Sequence, residues 1–193
     1  MNLNQLVSQN SLKLEKLSSR IEGDVLVFEY DNEIASIEIE DGRIKQVSHS
    51  IDNNSINISH PLKTLNIGKR NFQRYVEHFL IKNSNSSNLL RLGQTFHSGD
   101  GGTWSSLPHD FENHPEPGFE EIFFYILEGG SKRAIQVGKG MLHDGTRIDD
   151  AWIVQDKSFS VIPMGYHPVG GEPDVVVSYI WCYACTHDRW EKV

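Results

Sequence analysis

Residues 120–127 read EEIFFYIL, and their alternation decides how the chain is organised. In an extended segment Ile122, Phe124 and Ile126 share one face, and Phe123, Tyr125 and Leu127 share the other. Both faces are apolar, so the side chains of this strand, Glu121 among them, are expected to enter a buried or pocket-lining surface. Around it lie further short apolar segments separated by turn residues: LLRLGQTF (89–96), RAIQVGKGML (133–142), DDAWIVQD (149–156), SFSVIPMG (158–165) and DVVVSYIWCYA (174–184). Several short strands at regular spacing, with no strong helical pattern between them, predict an antiparallel β-sandwich or barrel.

The N-terminal third reads differently. Leu3, Leu6, Val7, Leu14, Leu17 and Ile21 have partly helical spacing, which predicts a short amphipathic helix over 3–21. DVLVFEY (24–30) and IASIEIEDGRIKQV (34–47) read as strands, with Asp41-Gly42 supplying the positive φ angles of a tight hairpin. Residues 1–60 are therefore expected to form a small helix and hairpin appendage, with IDNNSINISH (51–60) as a connector, and 61–193 the main domain. NIGKRNFQRYVEHFLIK (66–82) is mixed, and KNSNSSN (82–88) reads as an exposed polar tip.

Bulk composition narrows the function. The chain has 193 residues and a formal net charge of −8, with no basic stripe, so a nucleic-acid partner is not expected. No apolar run reaches the roughly 18 residues of a membrane span, and the N-terminus has no signal-peptide pattern, so the expected location is the cytoplasm. The two cysteines, Cys182 and Cys185 in WCYAC, lack a second pair to complete a zinc site. On a strand they would point to opposite faces, as buried apolar residues do.

Three polar groups stand where strand packing does not explain them. Glu121 shares its face with aromatic and aliphatic side chains, and a carboxylate there needs a partner, of which a metal ion is one. His109 lies upstream in WSSLPHDFENHPEPGFEE, and His167 follows the Pro163–Gly165 turn in VIPMGYHPVGG. Taken singly, each has an ordinary reading as a surface or hydrogen-bonded residue. The other histidines, His49, His60, His78, His97, His143 and His187, show no spacing that sets them apart from surface residues.

Taken together, a histidine before an aromatic strand, a glutamate opening it and a histidine after P-x-G follow the order of a cupin metal site. The likeness extends to GKRNFQRYV (68–76), LGQTF (92–96), GTWSSLPH (102–109), EEIFFY (120–125), AIQV (134–137) and IPMGYHPV (162–169). Through these pieces residues 66–185 resemble the C-terminal half of the 5-deoxy-glucuronate isomerase family of inositol catabolism. That family is related to the 5-keto-4-deoxyuronate isomerases of pectin breakdown.

The resemblance implies an all-β cupin, a double-stranded β-helix or jelly roll. It also implies one divalent metal ion, zinc or manganese first and nickel or iron as alternatives, held by His109, Glu121 and His167. Gln136 matches a family glutamine, Tyr125 lies on the Glu121 face and Tyr166 precedes His167. Each is a candidate for hydrogen bonding a substrate, and each could equally be a core or rim residue satisfied by the backbone.

The chain departs from the family pattern twice. The second histidine of the family's His-x-His falls on Phe111, leaving His114 or Glu112 as substitutes, or a site with three protein ligands, which is the favoured reading. The first of the family's two cupin halves is replaced by about 60 residues. The implied activity is aldose–ketose isomerisation of a deoxy-uronate or similar small sugar acid. The alternatives are a non-catalytic sugar-acid-binding cupin with a degenerate metal site, and an iron-dependent oxidative cupin. A homodimer paired through sheet edges, with the hairpin as a dimer element, is the expected assembly.

Overall fold

The computed structural model describes residues 10–97, 104–105 and 119–185. Within them the chain is almost entirely strand, with one short 3-10 turn at Arg70–Phe72. Sixteen strands form three antiparallel sheets.

The N-terminal sheet has the sequential order β1-β2-β3-β4-β5, from Ser18–Glu22, Val25–Tyr30, Glu33–Glu40, Arg43–Ile51 and Asn54–Ile58. A six-stranded sheet follows in the order β13-β10-β16-β8-β7-β6. Its strands are β6 (Lys63–Ile67), β7 (Arg74–Leu80), β8 (Leu90–His97), β10 (Glu120–Glu128), β13 (Phe159–Ile162) and β16 (Val176–Ala184). The third sheet runs β12-β11-β15-β9, from Arg147–Gln155, Arg133–Met141, Val169–Gly171 and Trp104–Ser105, with β14 (Met164–Tyr166) also paired to β11.

The EEIFFYIL segment, apolar on both faces, is an interior strand of its sheet. It forms β10, between β13 and β16, with Phe123 opposite Ser160 on one side and Trp181 on the other. Its outward residues Ile122, Phe124 and Ile126 join Leu90, Leu92, Ile180 and Cys182 in a core shared with Leu26, Phe28, Ile37 and Val47 of the N-terminal sheet. Its inward residues Phe123, Tyr125 and Leu127 join Tyr179, Trp181 and Cys185 in a second core, against Ala134, Val154 and Val169 of the third sheet. Each large apolar side chain buried this way contributes on the order of 1.5–3 kcal/mol. Cys182 and Cys185 are not disulfide-bonded; they are buried on opposite faces, one in each core.

The N-terminal sheet is also stitched to the six-stranded sheet through polar groups. Gln94, fully buried, donates from Nε2 to the Gly42 carbonyl at 2.6 Å and accepts the Ile44 amide at 2.9 Å, which seats the Asp41-Gly42 turn. Glu33 accepts the Leu90 amide at 3.0 Å and the Leu89 amide, and it faces His49 Nε2 at 3.3 Å. Burial alone would raise the Glu33 carboxyl, but His49 and those two amides hold it below the usual range. In the reverse direction Glu120 of β10 accepts the amides of Glu15, Lys16 and Leu17, at 2.5–3.2 Å.

Four expectations need correction. The described part of the expected helix, 10–21, is not helical, and its end is strand β1, paired with β2 from Ser18–Glu29 to Glu22–Val25. Leu17 and Ile21 fit a two-residue period as well as a helical one, and pairing with β2 decides between them. The supposed connector 51–60 contains β5, folded back on β4 after a turn with Asp52 at φ 50°. The polar tip at 82–88 is partly interior. Asn85 reaches His49 Nδ1 at 3.0 Å, and Asn88 donates to the Ile81 and Leu90 carbonyls at 3.0 and 2.8 Å. Its asparagines satisfy backbone groups that a buried loop would otherwise strand. Finally, His49, His78, His97 and His143 are not surface residues: each is buried or half-buried.

Candidate metal and substrate cavity

Between the inward face of the six-stranded sheet and the third sheet lies a cavity of about 190 Å³. At about 30 Å³ per water this is room for some six waters, the scale of a small polar metabolite. Its floor is aromatic because β10 and β16 present alternate residues inward in register. Phe123 stacks on Tyr179 with centroids 4.4 Å apart, and Trp181 stacks on Tyr183 at 5.6 Å. Trp181 lies flat across β8 because residue 93 is glycine: a Cβ there would sit 2.2 Å from the indole and 2.3 Å from the Glu77 carbonyl. The indole is held by its Nε1 donating to Thr95 Oγ1 at 3.1 Å.

Glu121 and His167 meet in this cavity. Glu121 Oε2 and His167 Nε2 are 3.9 Å apart, with residue exposures of 6% and 2%. Phe123 packs edge-on to the imidazole at 5.6 Å. Burial pushes the Glu121 carboxyl well above the usual carboxylate range. A cation beside it would reverse that preference and stabilise the anion. An oxygen and a nitrogen donor converging in a mostly apolar cavity are the donor types that zinc and manganese take, so these two residues fit a divalent ion. His109, the third expected ligand, lies outside the described residues, as do Phe111, Glu112 and His114.

Among the expected substrate contacts, Gln136 and Tyr125 lie close together but do not line the cavity. Both are fully buried, and Tyr125 donates from its hydroxyl to Gln136 Oε1 at 2.9 Å. Gln136 Nε2 in turn donates to the carbonyls of His167 and Pro168 at 2.7 and 3.1 Å. The pair fixes the backbone that carries His167. Tyr166 is half-buried on β14, paired across to Lys139, and is not a lining residue either.

Sequence spacing gave no sign of two other polar residues in the wall, Arg74 and His78. Both point inward from β7, and the signal available was their alternation with Tyr75 and Glu77. Burial, with Lys63 nearby, lowers the His78 imidazole to about 4, so it is neutral at working pH.

A second cluster of ligand-type groups, Glu15, Glu120 and His143, has its atoms within 4.8 Å of one another at the outer face. The Glu120 oxygens there already accept three backbone amides, which tie the N-terminal segment to β10.

Two facing antiparallel sheets with a Glu–His pair in the space between them define a cupin-type jelly roll. A sequence profile of the KduI/IolB family matches residues 48–193, and the chain belongs to that family. The 5-deoxy-glucuronate isomerase of Bacillus subtilis subsp. natto is 34% identical over 116 residues, covering 58% of this chain and 41% of that one. That of Lacticaseibacillus casei is 33% identical over 116 residues, with the same 58% and 41%. The chain thus spans less than half the length of these curated relatives. An IolB-like protein from Salmonella typhimurium LT2 shares the fold at a TM-score of 0.58 and 19% identity, over 86% of this chain and 64% of that one.

Proposed function

We propose that the chain is a metal-dependent cupin isomerase that interconverts the aldose and ketose forms of a deoxy-uronate or similar sugar acid. The observation that carries this reading is the meeting of Glu121 and His167, 3.9 Å apart, in a cavity floored by aromatic rings. The names of the family relatives point to the same substrate class.

Glu121, His167 and His109 would hold the ion, with zinc or manganese the favoured metals and nickel or iron the alternatives. When bound, such an ion supplies Lewis acidity to a sugar carbonyl and its neighbouring hydroxyl. The chain's own residues do the rest. Tyr125 and Gln136 fix the His167 backbone, so they are positioning residues. Phe123, Tyr179 and Trp181 exclude water and offer flat apolar surface to the carbon skeleton. His78 stays neutral and adds a polar edge to that wall.

Phe111, standing where the family has a second histidine, favours one other reading: a sugar-acid-binding module whose metal site has decayed. Elemental analysis of protein purified without chelator, beside His167→Ala, separates the two. Near one equivalent of zinc or manganese, lost in the variant, together with turnover of 5-deoxy-glucuronate, supports the isomerase. Folded protein that takes up no metal and turns over no sugar acid supports the binding module.

A further inference from the structure

Arg74 is 6% exposed and lines the same cavity as Glu121 and His167. Its guanidinium has one recorded hydrogen bond, from Nη1 to the Phe72 carbonyl at 3.2 Å. Among the described residues no carboxylate lies within ion-pair distance of it. A guanidinium carries five N–H donors and is always charged, so this one is a mostly buried cation on the cavity wall whose remaining donors are available to a ligand. Among the described residues its ladder neighbours offer no counter-charge. Across the ladder stands His97, whose imidazole is driven down to about 3 by burial and by Arg74 itself. Arg43 stacks on Phe96 at 4.2 Å and approaches Glu77 at 3.6 Å, Arg20 meets Glu22 and Glu29, and the buried Arg91 donates from Nη1 to the Asn88 and Leu90 carbonyls without lining the cavity.

The register places this cation with respect to the Glu–His pair. Glu121 pairs with Tyr183, Phe123 with Trp181 and Gly93 beyond it, and Arg74 with His97 further along. Arg74 and Glu121 therefore occupy opposite corners of one inward face, with the aromatic floor between them. A molecule that spans the cavity would meet a hard-donor pair at one end and a planar cationic fork at the other.

We infer that Arg74 is the carboxylate anchor of this cavity: its guanidinium takes the acid group of a sugar acid whose carbonyl end lies toward Glu121 and His167. The inference rests on the sugar-acid reading above and deepens it by naming the residue that selects acids over neutral sugars. A planar bidentate pairing suits a carboxylate, and a lysine would supply only a point charge.

The test is calorimetric titration of the full chain with D-glucuronate and, separately, with D-glucose, for wild type, Arg74→Met and Arg74→Lys. The expected result is that wild type prefers glucuronate and that Arg74→Met weakens glucuronate roughly 10- to 100-fold, as loss of a charge-assisted hydrogen bond predicts. Glucose binding should be unchanged by Arg74→Met, and Arg74→Lys should fall between. If Arg74→Met does not fold, Arg74→Lys carries the test through its intermediate, glucuronate-selective loss. Folded variants that keep wild-type affinity for glucuronate would overturn the anchor while leaving the sugar-acid reading in place. Equal loss of both sugars would also overturn it, because it would mark a collapsed cavity. A wild type indifferent to glucuronate would overturn the sugar-acid reading, and the anchor with it.

Discussion

On the outward face of the six-stranded sheet, Glu120 accepts three backbone amides from the N-terminal segment. One residue along the same strand, on the inward face, Glu121 is also buried, and it faces His167 at 3.9 Å. The outward face is finished: Glu33, Glu120 and Gln94 each meet donors supplied across the layer boundary. The inward face keeps a carboxylate and a guanidinium apart, each with binding capacity in reserve. Buried polar groups that are satisfied hold a fold together, whereas those left unsatisfied mark where something else is meant to bind.

That contrast can be broken residue by residue. Glu33→Ala should have the largest effect, since it strands His49 and the Leu89 and Leu90 amides; a loss of about 3–5 kcal/mol is expected in chemical denaturation. A loss below 1 kcal/mol would mean that the outer layer is not held there. Glu120→Ala should cost about 2–3 kcal/mol by orphaning the 15–17 amides, with Glu120→Gln recovering part of it.

Acid should act through His97. Its folded pKa of about 3 lies below the unfolded value near 6.5, so the unfolded chain binds more protons between those values and stability falls as pH drops below about 6.5. His97→Gln should flatten that fall by up to about 1.4 kcal/mol per pH unit in melts between pH 6.5 and 4. An unchanged slope would show that His97 is not held neutral by the fold.

Glu121→Gln should have the smallest effect on stability, within about 1 kcal/mol and in the stabilising direction, because it removes a carboxyl that burial disfavours in its charged form. The same variant should abolish metal uptake. A strongly destabilised Glu121→Gln protein would show that the inward face is finished like the outward one.

How much of this was legible in the sequence follows from which partners are local. The two apolar faces of 120–127 announced a buried strand, and Asp41-Gly42 announced a hairpin, which forms with φ of 49° and 72°. Glu121 and His167 were singled out through strand alternation and a turn offset, and the structure brings the two side chains together. Residues 10–21 were not, since what makes them extended is β2 and the Glu120 carboxylate, 103 or more positions away. The asparagines at 85 and 88 read as solvent residues because composition does not show that a backbone turn is buried beneath them. Arg74 was hidden for a related reason: its meaning lies in the absence of a partner among the described residues around it, which only packing reveals.

The shared outer core has a consequence for anyone shortening the chain. The stretch that carries the family's ancestry begins at residue 48, inside strand β4, whereas the core that β10 needs on its outward side reaches back to Leu17. Heritage and cooperativity thus divide the chain at different places. A fragment cut at residue 61 would keep all the residues proposed for chemistry yet bare Leu90, Leu92, Ile122, Phe124 and Ile180 to water, an oily wall expected to glue copies together instead of yielding a smaller folded domain.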